Sequence, residues 1–571
     1  MALPSEDRSC HVRSSISDDA MTIAIDQSCP QFDIASVKPL QRLALSQLVR
    51  GDDVLACLPT GFGKSLIFHL LPNVCKVLQT VGYSRAFAID PIVLVVAPLL
   101  SLMKDQVAYL TECGVRASMI GASQATDKEI KAGKFEIVFG SPEILVGQKT
   151  WRLALQEGVF RDRVVAIVAD EVHTVVQWGG LARPELVEED EDEPFRVWCG
   201  LVGELKSLVC APILALTATA SKATQEIIVS CLGMSGRCYV ITKSPERDNV
   251  FLAVQRVRSD VEATFDFLLR LVKSKQINCP RVLVYCQTQS VCSLLFTHFH
   301  YELGDKSYWP EGDTKAQNRV VEMYHACTPD SNKHIILQSL RDANGVCRVV
   351  FATNALGMGI DVKGLTTVIH YGPPADLEAY MQEIGRAGRD GSQSFAYLLY
   401  HGHQLRHTNR EMKEYVSNTD QCRRAMLLAV FDAAPNRGNT SHTCCDICSV
   451  QCQCASPGQC PGLQYIQIGE TSIATSSPVI VHHLQTEQRE LLEFLLLEYK
   501  MKVETELGIE DQPLYTHPTL VTGLSDYVLH SVVENAGQLF TVQDIQALTP
   551  VFTVEHAQNI LTILNEVWAQ F

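Results

Sequence analysis

The amino-acid sequence predicts an α/β protein with parallel sheets, and three observations support this class. Short apolar runs that are typical of buried parallel strands alternate with helical patterns along the chain. One of these runs, residues 54–58, leads into a glycine-rich loop that is followed by an apolar helical segment. The chain has 571 residues, which is too long for one hydrophobic core, so we expect several domains.

The glycine-rich loop, residues 59–65, has the sequence P-T-G-F-G-K-S. A strand, a tight loop and a helix N-terminus together direct backbone N–H groups at a polyphosphate. In this pattern Lys64 contacts the β- and γ-phosphates, and the Ser65 hydroxyl holds Mg²⁺. Leu58 replaces the first glycine of the general pattern, a variation typical of superfamily 2 helicases. We therefore expect ATP and Mg²⁺ at this phosphate loop, bound by Pro59, Thr60, Gly61, Gly63, Lys64 and Ser65.

Two adjacent carboxylates follow one of the later apolar runs. Asp170 and Glu171 come directly after residues 164–169, in a sheet whose strand ends are expected to bind ligand. Asp170 is then placed to hold Mg²⁺ through water, and Glu171 to polarise the attacking water. The alternative is a solvated acidic pair, but a six-residue buried strand just before the pair favours catalysis. The other runs that end in polar segments are residues 92–96, 135–139 and 213–216.

Composition excludes several classes of protein. The net charge of −16 argues against a sequence-independent electrostatic nucleic-acid binder, so a nucleic-acid site would be a local basic groove. The first residues do not resemble a signal peptide, and the most apolar run is about half the length of a membrane helix, so we expect an intracellular protein without membrane contact. The 21 cysteines predict buried thiols with one metal site rather than a disulfide framework.

Several motifs resemble those of the RecQ family of DNA helicases. In the first half these are L-S-L-M-K-D-Q-V at residues 100–107, D-E-V-H at 170–173, Q-W-G at 177–179 and S-P-E-R-D-N-V at 244–250. In the second half, Y-H-A at 324–326 resembles a single-strand contact loop, residues 351–362 resemble motif V, and residues 380–391 resemble motif VI. The resemblance covers roughly residues 30 to 450. It implies two tandem RecA-like domains that close on Mg²⁺-ATP.

Motif VI contributes a pair of arginines. Arg386 and Arg389 are three residues apart at an expected helix start, which would place two planar cations on one face, suited to a γ-phosphate. From a second domain they would act as arginine fingers; the alternative is an arginine pair on a solvated helix.

The resemblance implies that Lys64, Asp170, Glu171, Gln382, Arg386 and Arg389 are catalytic. It also implies nucleotide contacts by Gln41, Gly359 and Asp361, and coupling to DNA through His173, Gln177, Thr217 and Thr219.

The chemistry of the Gln41 side chain independently supports a nucleotide contact. Its amide offers a donor and an acceptor in a fixed pair, which suits an adenine edge. A polar residue near a helix N-terminus is the alternative.

A cysteine pattern predicts one Zn²⁺ site. Cys422 is followed after 21 residues by the C-C-x-x-C pattern of Cys444, Cys445 and Cys448, which together supply four thiolates. The pattern resembles the zinc-binding subdomain of RecQ proteins. His442 is an alternative to Cys444 as the fourth ligand, and free thiols on a loop are the alternative to a metal site. Cys452, Cys454 and Cys460 fit the spacing less well.

The sequence departs from the family in two places. The RecQ family has an aromatic-rich loop that senses DNA and contains a Phe-Arg core. In this sequence either residues 182–183 or residues 195–196 take the place of that core. With either alignment, the acidic run at residues 188–193 intrudes into this region. Six carboxylates would repel DNA, so we expect weaker DNA stimulation of ATP turnover unless the run is a solvated loop that swings clear. The second departure is the C-terminal region, which has helical patterns and no evident strand-separating hairpin.

These observations lead to one preferred function and two alternatives. The resemblance implies an ATP-dependent 3′-to-5′ DNA helicase that acts on single-stranded and forked or duplex DNA in the nucleus, with DNA-repair proteins as partners. The alternatives are a translocase or annealing factor with weak unwinding, and a non-catalytic DNA-binding scaffold. We expect a disordered leader at residues 1–27, RecA-like domains at 28–245 and 246–410, a zinc-binding subdomain at 411–460, a linker at 461–486 and a helical region at 487–571.

Overall fold

The structure is a computed structural model, and it contains two compact units. It describes residues 13–156, 158–173, 201–234, 238–258, 260–356, 362–406, 408–435, 441–450, 486–506, 522–551 and 553–569. The first unit comprises Met1–Arg247 with Arg424–Arg437, and the second comprises Asp248–Arg423 with Gly438–Phe571. Each unit contains one parallel sheet, which confirms the predicted α/β class.

The sheet of the first unit has seven strands in the order β3-β4-β2-β5-β6-β1-β7, and every pair of neighbours is parallel. Because β5, β6 and β1 are adjacent, the loops that follow them meet at one edge of the sheet. The strands are Asp53–Cys57 (β1), Ile92–Val96 (β2), Ala117–Met119 (β3), Ile137–Gly140 (β4), Val164–Ala169 (β5), Ile213–Thr217 (β6) and Cys238–Thr242 (β7).

Helices cover both faces of this sheet. Alternate strand residues belong to different cores, since Val54 and Ala56 lie in one apolar cluster and Leu55 and Cys57 lie in the other. Burial on both faces explains why these strands are continuous apolar runs. The helices are Asp18–Ser28, Pro39–Arg50, Ser65–Leu78, Leu100–Glu112, Gln124–Lys131, Lys149–Gln156, Val159–Arg163, Glu204–Val209 and Lys222–Cys231.

The predicted disordered leader over residues 1–27 is wrong for Asp18–Ser28, which is a helix. The Ser17 hydroxyl caps it by accepting a hydrogen bond from the Ala20 N–H at 3.2 Å. Met21, Ala24 and Ile25 are buried in the first core. Their spacing of three and four residues was a helical signal, but the polar residues between them concealed it.

His69, on the helix Ser65–Leu78, predicts a specific pH dependence of stability. The side chain is buried, its Nε2 lies 2.7 Å from Gln106 Oε1, and burial lowers its pKa from 6.5 to about 4. Between these pH values the unfolded chain binds a proton that the folded chain does not, so stability falls as the pH falls, by up to about 3 kcal/mol. Urea unfolding at pH 7 and pH 4.5 should show this loss in the wild type.

The matched variant is His69→Gln, which retains a polar side chain and cannot titrate. We expect its loss of stability between the two pH values to be smaller than that of the wild type by the histidine contribution. Equal losses in the two proteins would show that His69 does not control acid sensitivity.

The sheet of the second unit has six strands in the order β10-β11-β9-β12-β13-β8, again with parallel neighbours. Its core includes the fully buried rings of Phe251, Phe265, Phe299 and Phe351. The strands are Val250–Arg256 (β8), Arg281–Cys286 (β9), Val321–Tyr324 (β10), Val349–Ala352 (β11), Leu365–Tyr371 (β12) and Ser394–Tyr400 (β13).

Helices complete the second unit and form its C-terminal region. The described C-terminal residues pack around a separate apolar core that contains Leu492, Val532 and Ile560. The predicted helical C-terminal region is therefore confirmed. The helices are Val261–Lys275, Gln289–Leu303, Asp330–Arg341, Leu377–Ile384, Arg410–Ser417, Ser441–Cys444, Asp446–Val450, Thr486–Glu506, Asp526–Asn535, Val542–Leu548 and Val554–Ala569, and Arg423–Ala429 begins where the chain passes into the first unit.

Within the part of the chain that the structure describes, no helix has the length and apolar character needed to cross a membrane.

Candidate functional site: a phosphate loop, an arginine turn and a cysteine cluster

The phosphate loop connects β1 to the helix Ser65–Leu78, as the sequence predicts. Gly61 and Gly63 have φ angles of +78° and +89°, which side chains with a Cβ rarely adopt. A Cβ atom at Gly63 would also lie 2.8 Å from Gln41 Nε2. The glycines therefore allow a curved loop whose backbone is open to a ligand, which fits a polyphosphate.

Side chains from neighbouring elements hold the carbonyl groups of this loop. Gln41 Nε2 donates to the carbonyls of Phe62 at 3.1 Å and Gly63 at 2.8 Å, and its Oε1 accepts from the Lys38 N–H at 2.8 Å. Arg247 Nη2 donates to the Thr60 carbonyl at 2.8 Å. Gln41 thus both caps its helix and contacts the loop. The sequence did not predict the Arg247 contact, although the S-P-E-R-D-N-V motif contains this residue.

Asp170 and Glu171 follow β5 at the same edge of the sheet. The Asp170 N–H donates to the Val96 carbonyl at 3.0 Å, and the Glu171 N–H donates to Asp170 Oδ1 at 3.0 Å. Burial and the neighbouring Glu171 raise the pKa of Asp170 to about 7, while Lys64 acts in the opposite direction. A divalent cation would stabilise the charged form of this carboxylate. The donor set therefore fits Mg²⁺.

Glu171 begins a buried polar network. Its φ angle is +49°, a strained value for a residue with a side chain, and such strain is concentrated at functional sites. Glu171 Oε2 lies 3.5 Å from His173 Nδ1, which lies 3.3 Å from Thr217 Oγ1. The Thr217 hydroxyl donates to the Thr219 carbonyl at 2.9 Å. The network joins the ends of β5 and β6, so it brings together His173, Thr217 and Thr219.

The two motif VI arginines lie in a turn of the second unit, which we call the arginine turn (residues 385–390). The predicted helix start is wrong: the helix Leu377–Ile384, which contains Gln382, ends before Arg386 and Arg389. Glycines at positions 385 and 388 end it, and Gly388 has a φ angle of +59°. Arg386 is only 3% exposed and Arg389 is partly exposed. The two arginines therefore differ in their access to a ligand.

The four predicted cysteines converge in the second unit. The sulfur atoms of Cys422, Cys444, Cys445 and Cys448 all lie within 4.8 Å of one another. Burial and the adjacent thiols raise the pKa of Cys448 to about 12, an effect that a coordinated cation reverses. Four thiols in this arrangement fit a closed tetrahedral zinc site. The cluster contains Cys444 rather than His442, and Cys452, Cys454 and Cys460 lie outside the described residues.

An ion pair that the sequence did not predict fastens this cluster to the sheet. Asp446 accepts hydrogen bonds from Arg423 Nε at 2.6 Å and from the Val254 N–H of β8 at 3.0 Å. Leu252 of the same strand forms a parallel bridge with Cys445. Zinc binding and packing on the sheet edge are therefore connected.

Several predicted residues lie outside the described part of the chain. These are Gly359 and Asp361 of motif V, Gln177 and the rest of the Q-W-G motif, and the acidic run. The two alternative positions of the Phe-Arg core, residues 182–183 and 195–196, and all of the predicted linker except Thr486 also lie outside it.

The fold and these sites define a class of protein: a P-loop protein with two RecA-like α/β domains and a four-cysteine zinc module. Three family models match in order, namely DEAD/DEAH box helicase over residues 38–227, helicase conserved C-terminal domain over residues 263–391 and RecQ zinc-binding over residues 401–449. The chain belongs to the RecQ family of helicases.

Two of the relatives that this chain resembles are longer than the region that the chain matches. The chain is 30% identical to the bifunctional 3′-5′ exonuclease/ATP-dependent helicase WRN of Mus musculus over 73% of this chain and 28% of that protein. It is 30% identical to the probable ATP-dependent DNA helicase RecS of Bacillus subtilis over 64% of this chain and 65% of that protein. The chain thus spans less than two thirds of these relatives.

A solved structure supports the fold alone. The crystal structure of the DUF1998 helicase MrfA bound to DNA and AMPPNP matches with a TM-score of 0.51 and 17% identity, covering 74% of this chain and 54% of that chain.

Proposed function

We propose that the chain is an ATP-dependent DNA helicase that translocates 3′-to-5′ on single-stranded DNA. The observation that carries this proposal is the buried network from Glu171 through His173 to Thr217, at the same sheet edge as the phosphate loop. It connects a candidate catalytic base to the end of a neighbouring strand. Two of the similar proteins have names that include ATP-dependent helicase activity.

Each candidate side chain has a distinct part in ATP hydrolysis. Lys64 binds the β- and γ-phosphates, and Ser65 and Asp170 would hold Mg²⁺, which would supply positive charge beside the phosphates. Glu171 orients and polarises the attacking water. Arg389 contacts the transferred phosphoryl group, with Arg386 and Gln382 supporting it. Lys64 Nζ donates to the Leu58 carbonyl at 3.2 Å, a bond that the lysine would exchange for contacts to phosphate oxygens.

We further propose single-stranded and forked DNA as substrates, a nuclear location and DNA-repair proteins as partners. The family membership supports these three assignments. The DNA path would include the loop after β10 and motif V. His325 of that loop is 7% exposed, so its ring is buried beneath the loop.

Two assays test the proposal. ATP turnover is measured with and without single-stranded DNA, and strand separation is then measured on a forked duplex with a 3′ single-stranded arm. We expect turnover that DNA stimulates and unwinding that requires the 3′ arm. Turnover without strand separation would identify the translocase or annealing factor, and DNA binding without turnover would identify the scaffold.

The translocase is the second candidate because of the C-terminal region. In the described residues 486–506, 522–551 and 553–569 the regular structure is helical, and no β-hairpin that could separate strands occurs there. A motor without such a wedge moves along a strand but opens a duplex poorly. The forked-duplex assay decides between the two candidates.

The acidic run provides a separate prediction. If its six carboxylates oppose DNA binding near the motor, deletion of residues 180–194 should increase the stimulation of ATP turnover by DNA. The effect should be largest at low ionic strength, because salt screens the repulsion. The measurement is the ratio of turnover with DNA to turnover without it. An unchanged ratio would show that the run does not affect coupling.

A further inference from the structure

The arginine turn is rich in glycine, so contacts with surrounding residues help to fix its conformation. Glycines stand at positions 385, 388 and 391, and glycine gives the backbone more freedom than any other residue. Backbone bonds give partial order, since the Gly388 N–H donates to the Leu365 carbonyl at 2.9 Å and the Ala387 N–H donates to the Ile384 carbonyl at 3.1 Å.

Asn249 joins the two sides of this turn. Its Nδ2 donates to the carbonyls of Gly388 at 2.8 Å and Ser392 at 2.7 Å. Its own carbonyl accepts from the Ser394 N–H at 2.8 Å. A Cβ atom at Gly388 would lie 2.3 Å from Asn249 Nδ2, so the amide and the backbone are in direct contact. One side chain therefore fixes the end of the turn that follows Arg386.

A buried pair fixes the other end. His370 is 1% exposed, and its Nε2 lies 2.8 Å from Glu383 Oε2. The His370 ring stacks on Tyr285 with 5.1 Å between centroids and meets Tyr380 edge-on at 5.0 Å. Glu383 lies two residues before the turn, and its carbonyl accepts from the Arg386 N–H at 3.3 Å. The histidine thus anchors the last turn of the helix.

We propose that Asn249 is a positioning residue that, together with the His370–Glu383 pair, holds the arginine turn in the conformation needed for phosphoryl transfer. The effect on phosphoryl transfer rests on the proposed function, whereas the structural role of Asn249 in holding the turn does not. Asn249 does not itself contact the nucleotide in this role. It reduces the entropy cost of orienting the guanidinium groups when ATP is bound.

The kinetic test uses Asn249→Asp, which retains size but replaces Nδ2 and its two N–H donors with a carboxylate oxygen that repels the carbonyls of Gly388 and Ser392. We expect kcat for ATP to fall at least about tenfold, because a small misplacement of a positioned group costs this much, while KM changes little. The control is Asn344→Asp, the same change at an exposed side chain, which should retain full activity. A kcat within twofold of the wild type would contradict the proposal.

Coupling to the arginine separates positioning from general destabilisation. In an Arg389→Ala background, Asn249→Asp should cause little further loss of kcat, because both changes remove the same interaction. Independent multiplicative losses would show that Asn249 acts elsewhere. If Asn249→Asp does not fold, as judged by circular dichroism and zinc content, Asn249→Ala is used, since it removes the donors without adding repulsion.

Limited trypsin digestion provides a readout that does not require ATPase activity. Trypsin cleaves after Arg386 and Arg389, and mass spectrometry measures the rate at each position. We expect slow cleavage in the wild type and in Asn344→Asp, and cleavage at least about tenfold faster in the Asn249 variant, since cleavage follows local opening. Equal rates would overturn the proposal. A wild type without ATP turnover would reject the proposed function, while the digestion result would still decide whether Asn249 holds the turn.

Discussion

Replacement of Glu171 by glutamine should lower kcat for ATP about a thousandfold, since general bases contribute roughly 10²–10⁴. Glutamine keeps the shape of the side chain but cannot accept the proton of the attacking water. The phosphate loop and Asp170 are unchanged, so ATP should bind with nearly wild-type affinity. Steady-state turnover and the Kd of a fluorescent ATP analogue measure the two effects separately.

The matched control for this prediction is Glu112→Gln, the same substitution at an exposed position at the end of the helix Leu100–Glu112. It should retain wild-type turnover. Turnover of Glu171→Gln within tenfold of the wild type would show that another group activates the water. A loss of ATP affinity comparable to the loss of turnover would instead indicate that the substitution disturbs the loop.

The positions of the candidate catalytic residues in the first unit were predictable because their sequence signals are local. A strand that ends in a glycine-rich loop fixes the position of Lys64, and a strand that ends in D-E fixes Asp170 and Glu171. The order of strands decides which of these loops meet, and this order depends on crossovers that no short segment encodes. The contact between Arg247 and the Thr60 carbonyl spans 187 residues, so only the folded chain shows it.

Two errors have different physical origins. The arginine pair was expected on a helix because three-residue spacing is a helical pattern, but the glycines at 385 and 388 terminate the helix first. The segment Asp18–Ser28 was expected to be disordered because its polar residues are frequent, but three apolar residues on one face are sufficient for packing. The first error is therefore local in origin, whereas in the second tertiary packing outweighs local composition.

Replacement of Cys445 by serine should abolish zinc binding and unfold the zinc module. Cys445 is fully buried, lies in the four-sulfur cluster and precedes Asp446, which bonds to β8. Zinc binding contributes about 10–16 kcal/mol to the folding of small zinc domains, so three remaining ligands should not hold the module together. Zinc content measured by atomic absorption should fall from one ion per chain to near zero, and thermal unfolding should begin at a lower temperature.

The control must separate loss of a metal ligand from loss of a buried thiol. Cys279→Ser changes another buried cysteine of the second unit that lies outside the cluster, so it should retain one zinc ion per chain. Exposure of the wild type to a strong chelator should reproduce the thermal shift of Cys445→Ser, because both remove the same ion. A zinc-free wild type with unchanged stability would show that the four sulfurs do not form a structural metal site, and that Asp446 and Arg423 hold this region by themselves.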